Sequence, residues 1–289
     1  MVPSDAVVLI DRFISASSAI DAINSLKKLV DAYKENANKQ NKDEDERTAW
    51  DPGWIFEHDE IVDHLIFLLQ HGTLKANDIP CEEGVHLVCQ LYQYLITTSD
   101  ALKIPSSGAL LESLLDALDN SENPVYVRVL ALKVLEEISK RHKQIAVNQW
   151  LQAPNGLHRI ADLLAIDVDN NPMEEAVRNQ ALIVAKILAC EAPMAKVFLF
   201  AEVECKLLDL CWKQGGITKG SPIVIDALEL IKELLKHADT SLQDLVWQRP
   251  NVAPRLIQLL DLRGGDEFLH PSQRTSSDLQ GDNEDDDDD

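Results

Sequence analysis

The chain has 289 residues, 45% hydrophobic and 26% charged, which is the usual balance of a soluble globular protein. It carries 27 Lys and Arg against 49 Asp and Glu, a formal net charge of −22. With only 11 glycines and 5% aromatic residues, a β-sandwich or barrel is disfavoured and helices are favoured. Because the surface is acidic and no basic stripe is present, we do not expect the protein to bind nucleic acid or anionic lipid directly.

The cysteines and apolar segments indicate a cellular compartment. Five cysteines with no C-x-x-C pair are typical of reduced thiols in a reducing environment. Asp5 and Asp11 interrupt the apolar N-terminal stretch, which is unlike a signal peptide. No apolar run approaches the ~20 residues that a membrane span needs. We therefore expect a cytoplasmic protein.

Changes in composition divide the chain into four segments. Residues 1–35 are predicted to form an N-terminal helical pair, which Ser4 and either Ser17 or Ser18 can cap. Between Asn36 and Thr48 every large apolar residue is missing, so residues 36–50 are predicted to be an acidic flexible linker. Residues 51–263 are assigned to a repeat domain, and residues 264–289, which end in a run of aspartates, to a disordered acidic tail.

A helix with a Leu-Leu pair recurs through the repeat domain. The second leucines of the pairs are 46, 49, 44 and 52 residues apart. The five segments are HLIFLLQ (64–70), LLESLLDAL (110–118), HRIADLLAI (158–166), ECKLLDLCW (204–212) and PRLIQLLDL (254–262). Self-similarity at this period is the signature of stacked helical repeats.

Longer amphipathic helices follow the first four of these segments. They lie in residues 81–96, 123–141, 171–190 and 221–237, and shorter helices are predicted at 142–152, 192–201 and 240–248. One repeat cannot cover its own apolar face, so neighbouring repeats must stack. The pattern predicts an all-α fold, an armadillo-type α-solenoid of about five divergent three-helix repeats.

Patterns that carry catalysis or metal binding are not found. In GGITKGS (215–221) the lysine precedes the last glycine and no strand leads in, so a helix–helix loop is the better interpretation. His58 and His64 are six residues apart, whereas two metal-binding histidines on a helix are usually four apart. We therefore predict a protein that is not an enzyme, with no cofactor and no metal site.

The repeats resemble a known family. VRNQALIVAKILA (177–189) and KVFLFAEVECKLLDLCWKQGG (196–216) are similar in helix order and spacing to the globular head of the Uso-type vesicle-tethering factors, the general vesicular transport factor family. The resemblance covers about two thirds of the chain. It implies an armadillo head that helps vesicles dock in transport from endoplasmic reticulum to Golgi or within the Golgi.

The same resemblance implies the partners. It points to a small GTPase and to Golgi-associated tethering or docking proteins, so membrane association would be peripheral and indirect. The chain departs from the family because its acidic tail follows the last repeat directly, without sustained heptads. A coiled-coil dimer is therefore not expected. A head-like binding module and a shortened form of a longer tether both remain open.

Two other functions fit short armadillo proteins. One is an armadillo-type nucleotide-exchange cofactor of a cytosolic Hsp70, which the chain length favours. The other is a nuclear import receptor, in which Asn and Trp form a ladder on the third helices. The positions aligned with that ladder are Gln93, Glu137, Ile187 and Glu233, so this interpretation is weak.

The predicted protein-binding groove follows the solvent-facing sides of the long helices. Arg128 and Arg178 occupy matching places near two helix starts, where a cation gains nothing from the helix dipole, so each is a candidate to pair with an acid of a neighbouring repeat. The predicted groove residues are Gln93, Arg128, Lys133, Glu137, Arg178, Lys186, Glu229, Lys232 and Glu233.

Overall fold

The computed structural model describes residues 4–40, 51–98, 104–105, 108–119, 123–153, 155–166, 174–213, 222–250 and 252–260. These residues form fourteen α-helices, one 3-10 helix and one antiparallel pair of two-residue β-strands, so the prediction of an all-α fold is confirmed. The predicted tail at 264–289 lies outside the described residues.

The helices fall into three sets. The long helices are α2 (Ala19–Gln40), α4 (Glu82–Thr98), α6 (Val125–Arg141), α9 (Glu175–Ala189) and α12 (Pro222–Lys236). The Leu-Leu set is α3 (Asp59–His71), α5 (Ala109–Asp119), α8 (Gly156–Leu164), α11 (Val203–Lys213) and α14 (Val252–Leu260), and it is taken to include α1 (Ser4–Ile14), which lacks a Leu-Leu pair but packs on α3. The short helices are α7 (Lys143–Gln152), α10 (Ala192–Phe200) and α13 (Thr240–Gln248).

The remaining elements lie around α3. A 3-10 helix, Pro52–Glu57, precedes it, and its cap Asp51 accepts a 2.9 Å hydrogen bond from the Gly53 amide. The antiparallel strands β1 (Thr73–Leu74) and β2 (Ile79–Pro80) follow it. Gly72 ends α3 at a φ of 64°, a left-handed conformation that glycine adopts without the steric cost of a Cβ.

The long helices contact one another in chain order. α2 packs on α4, α4 on α6, α6 on α9 and α9 on α12. Ala131, Ala181 and Ala227 are fully buried on successive members of this set, and their small side chains allow the helix axes to approach closely. Helices of the Leu-Leu set contact one another in the same order, from α1 to α14. Successive helices of each set therefore cover each other's apolar faces.

Polar pairs also join consecutive helices of the Leu-Leu set. Arg159 of α8 donates to Asp116 of α5 at 2.7 Å, and Lys206 of α11 donates to Asp162 of α8 at 2.7 Å. Arg255 of α14 pairs in the same way with an aspartate of α11. The partners are 43 to 46 residues apart, which is close to the spacing of the Leu-Leu segments along the sequence. Each pair is partly exposed and therefore contributes little stability, but together they restrict the register between repeats.

The N-terminal helices differ from the predicted separate pair. α2 extends to Gln40, five residues into the predicted flexible linker, and residues 41–50 lie outside the described residues. Asn36 is buried at 3% exposure because it follows Tyr33 on the face that α2 turns toward the core. A helix that is already formed and packed gains one hydrogen bond for each added residue, so polar residues can extend it. The predicted cap is confirmed, since Ser18 accepts a hydrogen bond from the Asp21 amide at 3.2 Å.

One ion pair between repeats is buried. Glu204 of α11 is 1% exposed and pairs with Arg249, which follows α13 and whose side chain is 11% exposed. Arg249 also donates to the carbonyl of Leu199 at 2.9 Å. A buried carboxylate without its cation would be an uncompensated charge in a medium of low dielectric constant.

We expect Arg249→Ala to lower the free energy of unfolding by about 3–5 kcal/mol, because the Glu204 carboxylate then stays buried without a counter-charge. Urea unfolding followed by circular dichroism measures this change. The matched control is Arg255→Ala, which removes the more exposed pair with Asp209 and should cost about 0–1 kcal/mol. Equal losses of unfolding free energy in the two variants would show that the buried pair with Glu204 contributes no more than the exposed pair with Asp209.

Candidate protein-binding groove

The long helices share one pattern of buried and exposed positions. Leu91, Tyr92 and Leu95 of α4 match Val134, Leu135 and Ile138 of α6, and the same buried positions recur in α9 and α12. The pattern therefore fixes which solvent-side residues are equivalent from helix to helix. Three equivalent sets follow: Gln90, Lys133, Ile183 and Glu229; Gln93, Glu136, Lys186 and Lys232; Tyr94, Glu137, Ile187 and Glu233.

This register corrects the sequence alignment of α4 by one residue. The sequence comparison placed Gln93 opposite Glu137, whereas the buried positions place Tyr94 there. The error arises because α4 has glutamines at both Gln90 and Gln93, so polarity alone leaves its register open. Burial by neighbouring helices removes that ambiguity.

Seven of the nine predicted groove residues have accessible side chains on the long helices. Lys133, Glu229 and Lys232 are exposed, while Gln93, Glu137, Lys186 and Glu233 are half-buried. Glu137 accepts a 2.9 Å hydrogen bond from Arg141, and Glu233 accepts one of the same length from Lys236. The bond from Lys236 lowers the pKa of Glu233 below its ordinary value.

The two arginines have different roles from the rest of the predicted groove. Arg128 donates to both carboxylate oxygens of Glu174 at 2.6 Å and to the Leu118 carbonyl at 3.0 Å, so its predicted pairing with a neighbouring repeat is confirmed. Arg178 is 3% exposed and lies 3.9 Å from Glu175 of its own helix. The prediction that Arg178 lines the groove is therefore wrong, because the packing of α9 takes its side chain out of solvent.

Lys186 forms ion pairs within the protein. Its ammonium donates to Asp226 and to Glu229 of α12, each at 2.7 Å. Partial burial lowers the pKa of Lys186, but the two carboxylates outweigh this effect and raise it overall. The Lys186–Asp226 bond repeats a contact one helix earlier, where Gln180 of α9 donates to Glu136 of α6 at 2.5 Å. Polar bridges therefore close the α6–α9 and α9–α12 junctions.

The α4–α6 junction has no equivalent bridge. The positions that correspond to Glu136 and Gln180 are Gln93 and Leu130, and a leucine side chain cannot form a hydrogen bond. A groove of about 700 Å³ opens here between α2, α4 and α6, a volume typical of ligand pockets. We call it the α2–α4–α6 groove. Of the predicted residues, Gln93 and Lys133 line it.

Sequence reasoning missed the contribution of α2 to this groove. Val30, Asp31 and Lys34 line one side, although the N-terminal helices were assigned to a separate segment. The sequence does offer one signal for the groove itself. It is Tyr126, an aromatic residue at the start of α6, which is 56% exposed there. Only the contact between α2 and α4 places the N-terminal segment against these residues.

His86 is a half-buried polar residue on the α4 wall of the groove. Its ring lies edge-on to Tyr126, with 5.1 Å between ring centroids, and its Nε2 lies 2.9 Å from Nε2 of Gln90. Its Nδ1 is buried and has no hydrogen-bond partner among the described residues. Burial lowers the pKa of His86 below its ordinary value of 6.5, so the ring is neutral at pH 7.

Metal binding by the described residues would need His, Cys, Asp or Glu side chains that lie close together. Within them, no group of three or more His, Cys, Asp or Glu side chains is placed to hold a metal ion. Cys81, Cys89 and Cys211 are buried, and burial raises the pKa of the Cys89 thiol to about 12. In the same part of the chain, none of the helices has the length and apolar character needed to cross a membrane.

One curated protein resembles the chain in sequence. Over 174 residues the chain is 26% identical to the intracellular protein transport protein USO1 of Saccharomyces cerevisiae. The match covers 59% of this chain and 9% of the yeast protein, so it spans less than a tenth of that relative. No protein-family model matches the chain.

We expect the stability of the protein to fall as the pH decreases from 7.5 to 5.5. The lowered pKa of His86 means that the unfolded chain takes up this proton more readily than the folded chain does. The contribution of His86 to the free energy of unfolding is therefore present above about pH 6.5 and decreases as the pH falls below that value toward the lowered pKa of the folded state. Urea unfolding at both pH values measures the effect.

The matched variants are His86→Phe and His58→Phe. His86→Phe should reduce the difference between the two pH values, whereas the same change at exposed His58 should retain it. An unchanged pH dependence in His86→Phe would show that another group is responsible.

Proposed function

We propose that the chain is a non-enzymatic protein-binding scaffold in vesicle docking between endoplasmic reticulum and Golgi or within the Golgi. The observation that carries the proposal is the 26% identity to an intracellular protein transport protein over 59% of the chain. In this proposal the three helix sets are armadillo-type repeats stacked as an α-solenoid. The protein is cytoplasmic and reaches Golgi or vesicle membranes through its partners.

The contacts between helices support the repeat assignment. Consecutive long helices pack on one another, consecutive Leu-Leu helices do the same, and a short helix precedes each of α8, α11 and α14. Polar pairs between partners 40 to 46 residues apart recur from one junction to the next. Stacked repeats present extended surfaces made from equivalent positions of successive helices, which suits binding of protein partners.

Fluorescent tagging of the chain, combined with its depletion, tests the proposed function. A tagged chain should be enriched at the Golgi, and depletion should slow the transit of a secretory cargo. A diffuse signal together with unchanged cargo transit would contradict the proposal. In that case, acceleration of nucleotide release from a cytosolic Hsp70 by the purified chain would identify it as an exchange cofactor instead.

The solvent side of the long helices is the proposed contact surface. We expect the double change Glu137→Lys and Glu233→Lys to weaken capture of partners by about tenfold, because it reverses two charges at equivalent positions of this surface. Each glutamate has a cation on its own helix, and such partly exposed pairs contribute little to stability. The melting temperature should therefore remain close to that of the wild type.

Quantitative affinity capture from cells measures this effect. The control is Glu112→Lys with Asp244→Lys, which makes the same charge change at exposed sites of α5 and α13. Equal capture by both double variants would place the contact surface elsewhere, on the Leu-Leu helices or the N-terminal helices.

A further inference from the structure

The α2–α4–α6 groove has a mainly apolar lining. Its larger apolar side chains are Val30, Tyr94, Val125, Tyr126, Val129 and Leu130, and Pro124 and Ala176 also line it. Tyr126 remains 56% exposed, although aromatic side chains gain free energy by burial. The groove therefore offers apolar surface that an occupant can cover.

Two lysines at this groove have exposed side chains. Lys34 and Lys133 are exposed, and neither forms an ion pair among the described residues. By contrast, Lys186 and Lys236 on the neighbouring long helices are paired with acids of the chain. The groove lining therefore carries two lysines against one aspartate, a local excess of positive charge in a protein with a net charge of −22.

The remaining polar groups favour a polypeptide occupant. Asp31 is the acid that lines the groove within the described part of the chain, and the lowered pKa of His86 leaves that ring uncharged at pH 7. Gln90 and Gln93 lie on the same wall, and their side-chain amides can donate to and accept from a peptide backbone. The lining charges therefore favour an anionic partner, and the amides favour one with a backbone.

We propose that the α2–α4–α6 groove binds a short acidic-apolar peptide segment of a partner protein. An aromatic or aliphatic side chain of the segment packs against Tyr126, Val129 and Leu130, and flanking carboxylates meet Lys34 and Lys133. Basic segments are rejected by the same two lysines. This inference rests on the proposed function as a protein-binding scaffold and assigns the partner chemistry to one end of the long-helix surface.

Fluorescence anisotropy with three labelled probe peptides tests the inference on the full chain. The acidic-apolar probe is GEEFLEEG, and the comparison probes are GKKFLKKG and GEEAAEEG. GEEFLEEG should bind about tenfold more tightly than either comparison probe, and its affinity should fall as the salt concentration rises. Equal binding of the acidic and basic probes, or no binding of any probe at about 1 mM, would overturn the proposal.

Paired variants locate the binding site. Lys133→Glu and Tyr126→Ala should each weaken GEEFLEEG binding by about fivefold or more. The controls are Lys232→Glu and Ile225→Ala, which make comparable changes at exposed positions of α12 outside the groove. Loss of binding in the controls, or no loss in the groove variants, would show that the peptide binds elsewhere.

The peptide assay and the cell assay fail independently. Peptide binding at the groove without Golgi enrichment would retain this site and reject the role in vesicle docking. Golgi enrichment and slowed cargo transit on depletion, without peptide binding, would retain the function and reject this assignment of partner chemistry.

Discussion

Every long helix of this chain has to be covered on two sides, and this constraint governs the rest of the structure. The apolar positions of α6 and α9 occupy more than one face, and neither helix can bury them alone. Fully buried alanines at Ala131, Ala181 and Ala227 let each helix approach the next one closely. Stability is then distributed over a series of similar junctions, each of which depends on its neighbours.

Polar side chains fix the register of this packing. A buried apolar junction tolerates small shifts along the helix axis, whereas a bond such as that from Gln180 to Glu136 is satisfied in only one register. The same two positions are used again by Lys186 and Asp226. Where the pair is replaced by Gln93 and Leu130, the junction stays open at the surface and the α2–α4–α6 groove results.

Some cations of the protein pair with acids on other helices, and others are exposed to solvent. Arg128, Arg249 and Lys186 are held by acids of an adjoining repeat, so they maintain the structure and are not available to partners. Lys133 and Lys232 occur on the same long-helix surface without such acids among the described residues. A cation's availability therefore depends on its neighbour one repeat away, and the net charge of the chain is a poor guide to the field at any one groove.

The helical elements of this protein follow from local patterns in its amino-acid sequence. Periodicity of apolar residues placed the long helices, the Leu-Leu helices and the short helices such as α7 and α10 within a few residues of their bounds, because helix formation depends on neighbours three and four positions apart. By contrast, the burial of Arg178, the register of Tyr94 and the participation of α2 in the groove result from packing between helices. Those features depend on contacts between residues about one repeat apart or more, and the relative positions of two packed helices are set by how their side chains interlock, which the local pattern of either helix does not contain.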